Sequence, residues 1–165
     1  MSAVFDRVLT HVSKTIQAPP TGTITVFPSL SSRGFRDVDS AGGARGQLEE
    51  QVGQSRVFEL DLDALDLTPS RLGGTVVKSY QMTFPVRIRY EGLGPHRKAE
   101  IQAQILEDMA GVVDAIQRSN WPSVSGLASL TAAPGSMSRF VIADDAGNSY
   151  EGYISSVVVD ASIDT

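Results

Sequence analysis

Between Ser79 and Ser119 the hydrophobic positions of the chain change their period. In SYQMTFPVRIRYEG the apolar residues Tyr80, Met82, Phe84, Val86, Ile88 and Tyr90 take alternate positions, with Gln81, Thr83, Arg87 and Arg89 between them. That period of two predicts a half-buried strand. Pro85 offers no ladder donor, so the strand is expected at a sheet edge or bulged there. After the Gly92-Leu93-Gly94-Pro95 turn, Ile101, Ile105, Met109, Val112 and Ile116 recur at helical spacing. Leu106 and Val113 widen the stripe, which predicts a helix over Pro95 to Ser119 with one face on a sheet. Glu107 and Asp108 fall on its polar side and are expected in solvent.

The same reading gives a first helix from Ser2 to Gln17, where Val4, Phe5, Val8, Leu9, Val12 and Ile16 form the stripe. Ser2 is its candidate N-cap and Ala18-Pro19-Pro20-Thr21-Gly22 ends it. His11 sits just off the stripe. Thr23 to Phe27 is a short β-branched strand closed by Pro28. Arg56 to Leu67 alternates Phe58, Leu60 and Leu62 with Glu59, Asp61 and Asp63, which predicts a strand with a solvated acidic face. Thr68-Pro69 and Gly73-Gly74 break the chain before Thr75 to Lys78.

Beyond Asn120-Trp121-Pro122, where Trp121 is expected to pack across the helix end or to anchor an interface, Ser123 to Gly135 reads as a loop. Two strands close the chain, Met137 to Ala143 and Ser149 to Ala161, joined by a hairpin loop over 144–148. In the last strand Tyr153, Val157 and Val159 share a face. Gly152 and Ser155-Ser156 suggest a bulge or a close neighbouring backbone.

One stretch has no period. Ser29 to Ser55 is rich in Gly, Ser and charge, with too few apolar residues to offset the entropy of ordering. It reads as a long polar arm, at about residues 33–55, either a flexible passive insertion or one that contacts a partner through Phe35, Leu48 and Val52. The whole is one α+β domain of 165 residues, with a mainly antiparallel sheet, two amphipathic helices and this arm.

Composition narrows the chemistry. The chain has no cysteine, which removes disulfides, thiolate metal sites and thiol nucleophiles and fits a reducing cytoplasm. No apolar run approaches the ~18 residues that span a bilayer, and Asp6 and Arg7 interrupt any apolar leader. A net charge of −5 argues against a dedicated nucleic-acid binder. Asp61, Asp63 and Asp66 lack the third ligand position, glycine and distal glutamate of a calcium loop, so no metal site is expected. With only His11 and His96, and no nucleophile elbow or HExxH helix, neither catalytic nor cofactor-binding residues are expected. One cluster is physically odd. His96, Arg97 and Lys98 open the second helix, where the dipole favours carboxylates. With Arg87 and Arg89 on the preceding strand they are the candidate contact for an anionic partner surface.

The order of elements is helix, strand, arm, strands, central strand, helix, hairpin. With the FPVRIRY strand (Phe84 to Tyr90), the Pro95 to Ser119 turn and helix, and the terminal YEGYISSVVV strand (Tyr150 to Val159), it resembles the tail terminator, or tail completion, proteins of long-tailed bacteriophages and related gene-transfer particles. The resemblance covers roughly the second half of the chain. It implies a virion neck protein, assembled in the host cytoplasm, whose subunits form a ring, typically a hexamer. The ring caps the tail tube, stops its polymerisation and offers the surface that a head-completion or connector protein joins. No catalysis, cofactor or membrane is implied, and DNA passes through without specific binding. A head-closure, connector or tail-tube protein is the near alternative. A small cellular ligand-binding domain or enzyme using Arg87, Arg89 and His96 is the alternative from another class.

Overall fold

A computed structural model describes residues 2–17, 36–37, 57–72, 75–91, 98–143 and 146–164. Helix α1 spans Ser2–Gln17, and strands β1 (Arg36–Asp37), β2 (Val57–Leu60), β3 (Asp66–Leu72) and β4 (Thr75–Glu91) follow. Helix α2 spans Lys98–Arg118, a 3-10 turn covers Trp121–Ser123, and β5 (Leu127–Ala143) and β6 (Ser149–Asp164) end the chain. All six strands join one sheet in the order β1-β2-β4-β6-β5, with β3 also on β4. Every pairing is antiparallel except that of β1 with β2. The fold is therefore α+β, as the periods predicted. The predicted strand over 23–27 lies outside the described residues, as does the arm apart from Arg36 and Asp37.

Both helices lie on one face of the sheet, α2 over β5 and β6 with α1 beside it. Met82, Phe84, Val86, Ile88 and Tyr90 of β4 point into this layer and are fully buried. From β6, Tyr153, Val157, Val159, Ala161 and Ile163 join them. The helices contribute Val8, Val12 and Ile16, and Ile101, Ile105, Met109, Val112 and Ile116. Trp121 packs, half-buried, on the same core.

Four boundaries differ from expectation, each for a local reason. First, β4 is not an edge strand. Pro85 pairs with Val158 on one side, while its carbonyl accepts from the Asp61 amide at 2.9 Å on the other. A strand residue directs its N–H and C=O to the same side, so the missing donor faces the gap where β2 ends and β3 begins. Second, the alternating segment 56–67 is not one strand. Val57–Leu60 pairs with β4 as β2, residues 61–65 hold a bend and turn, and Asp66 and Leu67 pair with β4 again as the start of β3. Third, Thr68-Pro69 does not break the chain, because among the described strands β3 pairs with β4 alone, and Pro69 is tolerated in a strand with one partner.

Fourth, the expected loop from Ser123 to Gly135 is mostly strand, since β5 begins at Leu127. Pro134 and Gly135 mark an irregularity between Pro134 and Met137 rather than a strand end. A Cβ on Gly135 would overlap the Ser156 hydroxyl, so the close approach hinted at by Ser155-Ser156 lies here. Gly152 has a similar role. A Cβ there would overlap both the Phe140 ring and the Tyr90 carbonyl.

Candidate interaction surfaces

Asp108 stands on α2 but turns inward. It is fully buried and accepts a hydrogen bond from the Tyr90 hydroxyl at 3.1 Å and one from Gln104 Nε2 at 3.0 Å. The expectation of a solvated carboxylate is therefore corrected. Position 108 shares the helix face of Gln104 and lies within reach of the Tyr90 hydroxyl of β4. Because Asp108 and Gln104 turn toward β4, while Gln117 Nε2 reaches the Ala132 carbonyl of β5 at 2.9 Å, the orientation of α2 is fixed.

That orientation exposes a second stripe. Ala99, Ala103, Leu106, Ala110, Val113 and Gln117 follow one another at spacings of four and three, so they run along one side of the helix. It is the side that carries Gln117, toward β5. Leu106 is 60 % exposed, so it does not widen the core stripe as the sequence suggested, whereas Val113 is half-buried against the core.

β5 borders this stripe. Among the described strands it is the outermost of the sheet, paired with β6, and its 17 residues carry one charge, that of Arg139. Arg139 pairs with Glu151 of β6. Register places Met137 opposite Ser155 and Val141 opposite Glu151, on the helix-bearing face. Met137 is 39 % and Val141 57 % exposed. Asp108 is level with Tyr90, whose row continues through Tyr153 to Arg139. Leu106, two residues further, lies ~3 Å beyond it along the helix, beside Arg139 and Val141. Leu106, Met137 and Val141 thus gather at one border. Soluble proteins usually blunt a long strand edge with charge, Pro or bulges. Here Pro134-Gly135 interrupts the edge once, and the stretch beyond it carries Arg139 as its single charge and has β6 as its partner among the described strands.

The other face of the sheet holds the arginines singled out from the sequence. Glu59 stands opposite Arg87 and receives its Nη1 at 3.2 Å, with Asp61 at 3.9 Å. Glu59 is 2 % exposed, so of the expected solvated acidic face this residue is instead the buried half of an ion pair, while Asp63 is exposed. Arg89, also 2 % exposed, stands opposite Val57 and lies over the Phe140 ring at 5.0 Å. Ile154 and Val57 complete this small apolar cluster. Arg87 and Arg89 are thus engaged within the subunit, and the structure does not bring them together as an outward anion site. Lys98 opens α2, and Phe35, Leu48, Val52, His96 and Arg97 lie outside the described residues.

On α1, His11 Nε2 is 2.9 Å from the Ser119 hydroxyl, which ties α1 to the end of α2. Burial holds the His11 pKa below its ordinary 6.5. The unfolded chain therefore takes up this proton first as pH falls. The neutral ring's stabilisation is complete above about pH 6.5 and is lost as pH drops through the folded-state value. Thermal melts from pH 7.5 to 5 should show wild type losing stability more steeply than His11→Gln below pH 6.5; parallel curves would remove His11 from the acid limb. The neighbouring cleft, about 510 Å³, is open to solvent and is lined by one carboxylate, Asp6, and two cations, Arg7 and Lys14.

Among the described residues no three acidic or histidine side chains are placed to share a metal ion, and no helix is long and apolar enough to cross a membrane. No protein-family model matches the chain, and no curated protein matches its sequence.

Proposed function

We propose that this chain is a structural subunit of a phage-like particle, assembling into a closed ring that caps a tail tube, ends its polymerisation and presents the surface joined by the head. The observation that carries the reading is the β5 border, a long strand edge with a single charge, lined by exposed Leu106, Met137 and Val141. Such a border is an association surface on physical grounds. The α+β order of elements, with its central strand, helix and closing hairpin, supports the tail terminator in particular, by resemblance. The acidic balance of −5 suits a ring through which DNA passes without being gripped, since non-specific affinity comes from phosphate neutralisation.

A small ligand-binding domain built on Arg87 and Arg89 has less support, because both guanidinium groups are occupied by Glu59, Asp61 and Phe140. The ring reading is tested by adding purified protein to polymerising tail-tube subunits. Tubes are expected to stop at a capped end bearing a ring. Unchanged tube growth at a several-fold excess of the protein would reject the capping role.

A further inference from the structure

Resting on the ring reading, we infer that Ser156 is a positioning residue for assembly. Its hydroxyl locks a β-bulge at Gly135-Ser136 and so sets which side chains the β5 border turns toward Leu106.

The register shows the bulge. Leu130, Ala132 and Pro134 stand opposite Ala161, Val159 and Val157, and Met137, Arg139 and Val141 stand opposite Ser155, Tyr153 and Glu151. Along this series β6 advances by two residues at every step, whereas β5 advances by three between Pro134 and Met137. Gly135 and Ser136 therefore face the single residue Ser156, the two-against-one arrangement of a bulge. The extra residue changes the parity of β5. From Leu130 to Pro134 the even-numbered residues are on the helix-bearing face, and from Met137 to Val141 the odd-numbered ones are. A bulge-free register continued from Pro134 would set Ser138 opposite Tyr153 and Phe140 opposite Glu151. Met137 and Val141 would then turn to the other face, away from Leu106, because a slip of one residue reverses every side chain.

The contacts at Ser156 favour the bulged register. The Ser136 amide donates to Ser156 Oγ at 2.8 Å, and the Ser156 hydroxyl reaches back to the Ser136 carbonyl at 3.4 Å. A side chain thus serves backbone groups at the point where a bulge disrupts the ladder. Gly135 is required beside it, since a Cβ there would overlap the Ser156 hydroxyl and carbonyl. Two further contacts depend on the same register. Phe140 stands opposite Gly152, with the Arg89 guanidinium 5.0 Å from its ring centre, and a Cβ on Gly152 would overlap that ring. Arg139 pairs with Glu151, and a slip would put them on opposite faces.

Two measurements separate register from assembly, each made with Ser156, Ser156→Ala and Ser156→Thr. The chain has no cysteine, so Val141→Cys with Glu151→Cys reports the register. The two positions are directly opposed in the bulged register, within disulfide reach, and lie on opposite faces after a slip. Under mild oxidation of dilute protein, the disulfide should close several-fold more slowly with Ser156→Ala than with Ser156 or Ser156→Thr. In the chain without cysteines, Ser156→Ala should need a several-fold higher concentration to form rings, at unchanged circular dichroism, and Ser156→Thr should assemble as wild type does. Gly135→Ala, which crowds the same hydroxyl, should behave as Ser156→Ala. Ring formation undiminished in Ser156→Ala would overturn this inference while leaving the ring reading intact. A loss of rings with disulfide closure unchanged would also overturn it, because Ser156 would then not act through the register. So would a defect that Ser156→Thr shares, since the hydroxyl would not be its cause. A wild-type protein that stays monomeric would overturn both readings.

Discussion

Phe84→Ala is expected to lower the unfolding free energy by about 3–5 kcal/mol and Ile105→Ala by about 2–5 kcal/mol. Both side chains have zero exposure, and they sit on opposite sides of the helix–sheet interface. Transfer from water accounts for roughly 1.5–3 kcal/mol of each. The remainder is the cavity, which a well-packed helix–sheet layer only partly closes. A domain of this size has a total stability of the order of 5–15 kcal/mol, so either variant should shift the denaturant midpoint strongly at unchanged m. The contrast is Leu106→Ala, on the same helix one residue from Ile105 but 60 % exposed. It should change the monomer's stability by less than about 0.5 kcal/mol. If Phe84→Ala and Leu106→Ala unfolded at the same midpoint, the assignment of inner and outer faces would be wrong.

Asp108→Ala should cost about 2–6 kcal/mol, because two buried donors lose this acceptor at ~1–3 kcal/mol each. Those donors are the Tyr90 hydroxyl and the Gln104 amide, and Gln104 is itself fully buried. Tyr90→Phe removes one of the two bonds and keeps the ring, so it should cost about 1–3 kcal/mol. A double-mutant cycle measures the coupling. The pair should be less destabilising than the sum of the singles, since once Asp108 is gone the hydroxyl no longer has that carboxylate to donate to. Simple additivity would show that the two groups do not act together in solution.

The legible parts of the fold were those where one side chain type repeats at one period. The Met82 to Tyr90 alternation marked the central strand, and the inner stripe of α2 marked its buried face. Asp108 escaped because its burial depends on Tyr90, a partner on another element that no local pattern connects to it. Glu59 escaped for the same reason, since the Arg87 opposite it is named by strand register alone. Leu106 was misjudged from hydrophobicity. One residue on from Ile105 is ~100° round the helix, which carries a side chain off a core face that is only slightly wider than that. The first half of β5 was missed because Ala, Ser, Thr and Gly fill much of it and show little alternation. Its strand character comes from the long neighbour β6, whose own alternation was visible. Pro134-Gly135 looked like an end because local chemistry does not distinguish a bulge from a stop.

The candidate surface was correspondingly the least legible feature. Arg87 and Arg89 were conspicuous as charges in an acidic chain, yet each is matched inside the subunit. The border that replaces them as the candidate is conspicuous only by the charge it lacks. That deficit becomes meaningful once Leu127–Ala143 is known to be an outer strand.

The central claim is ring formation through the β5 border, and negative-stain electron microscopy of the purified protein at tens of micromolar tests it most directly. Wild type should give uniform closed rings, and the folded Leu106→Glu and Val141→Glu variants should give none. Compact single subunits in the wild-type images, or rings undiminished in both variants, would contradict the account.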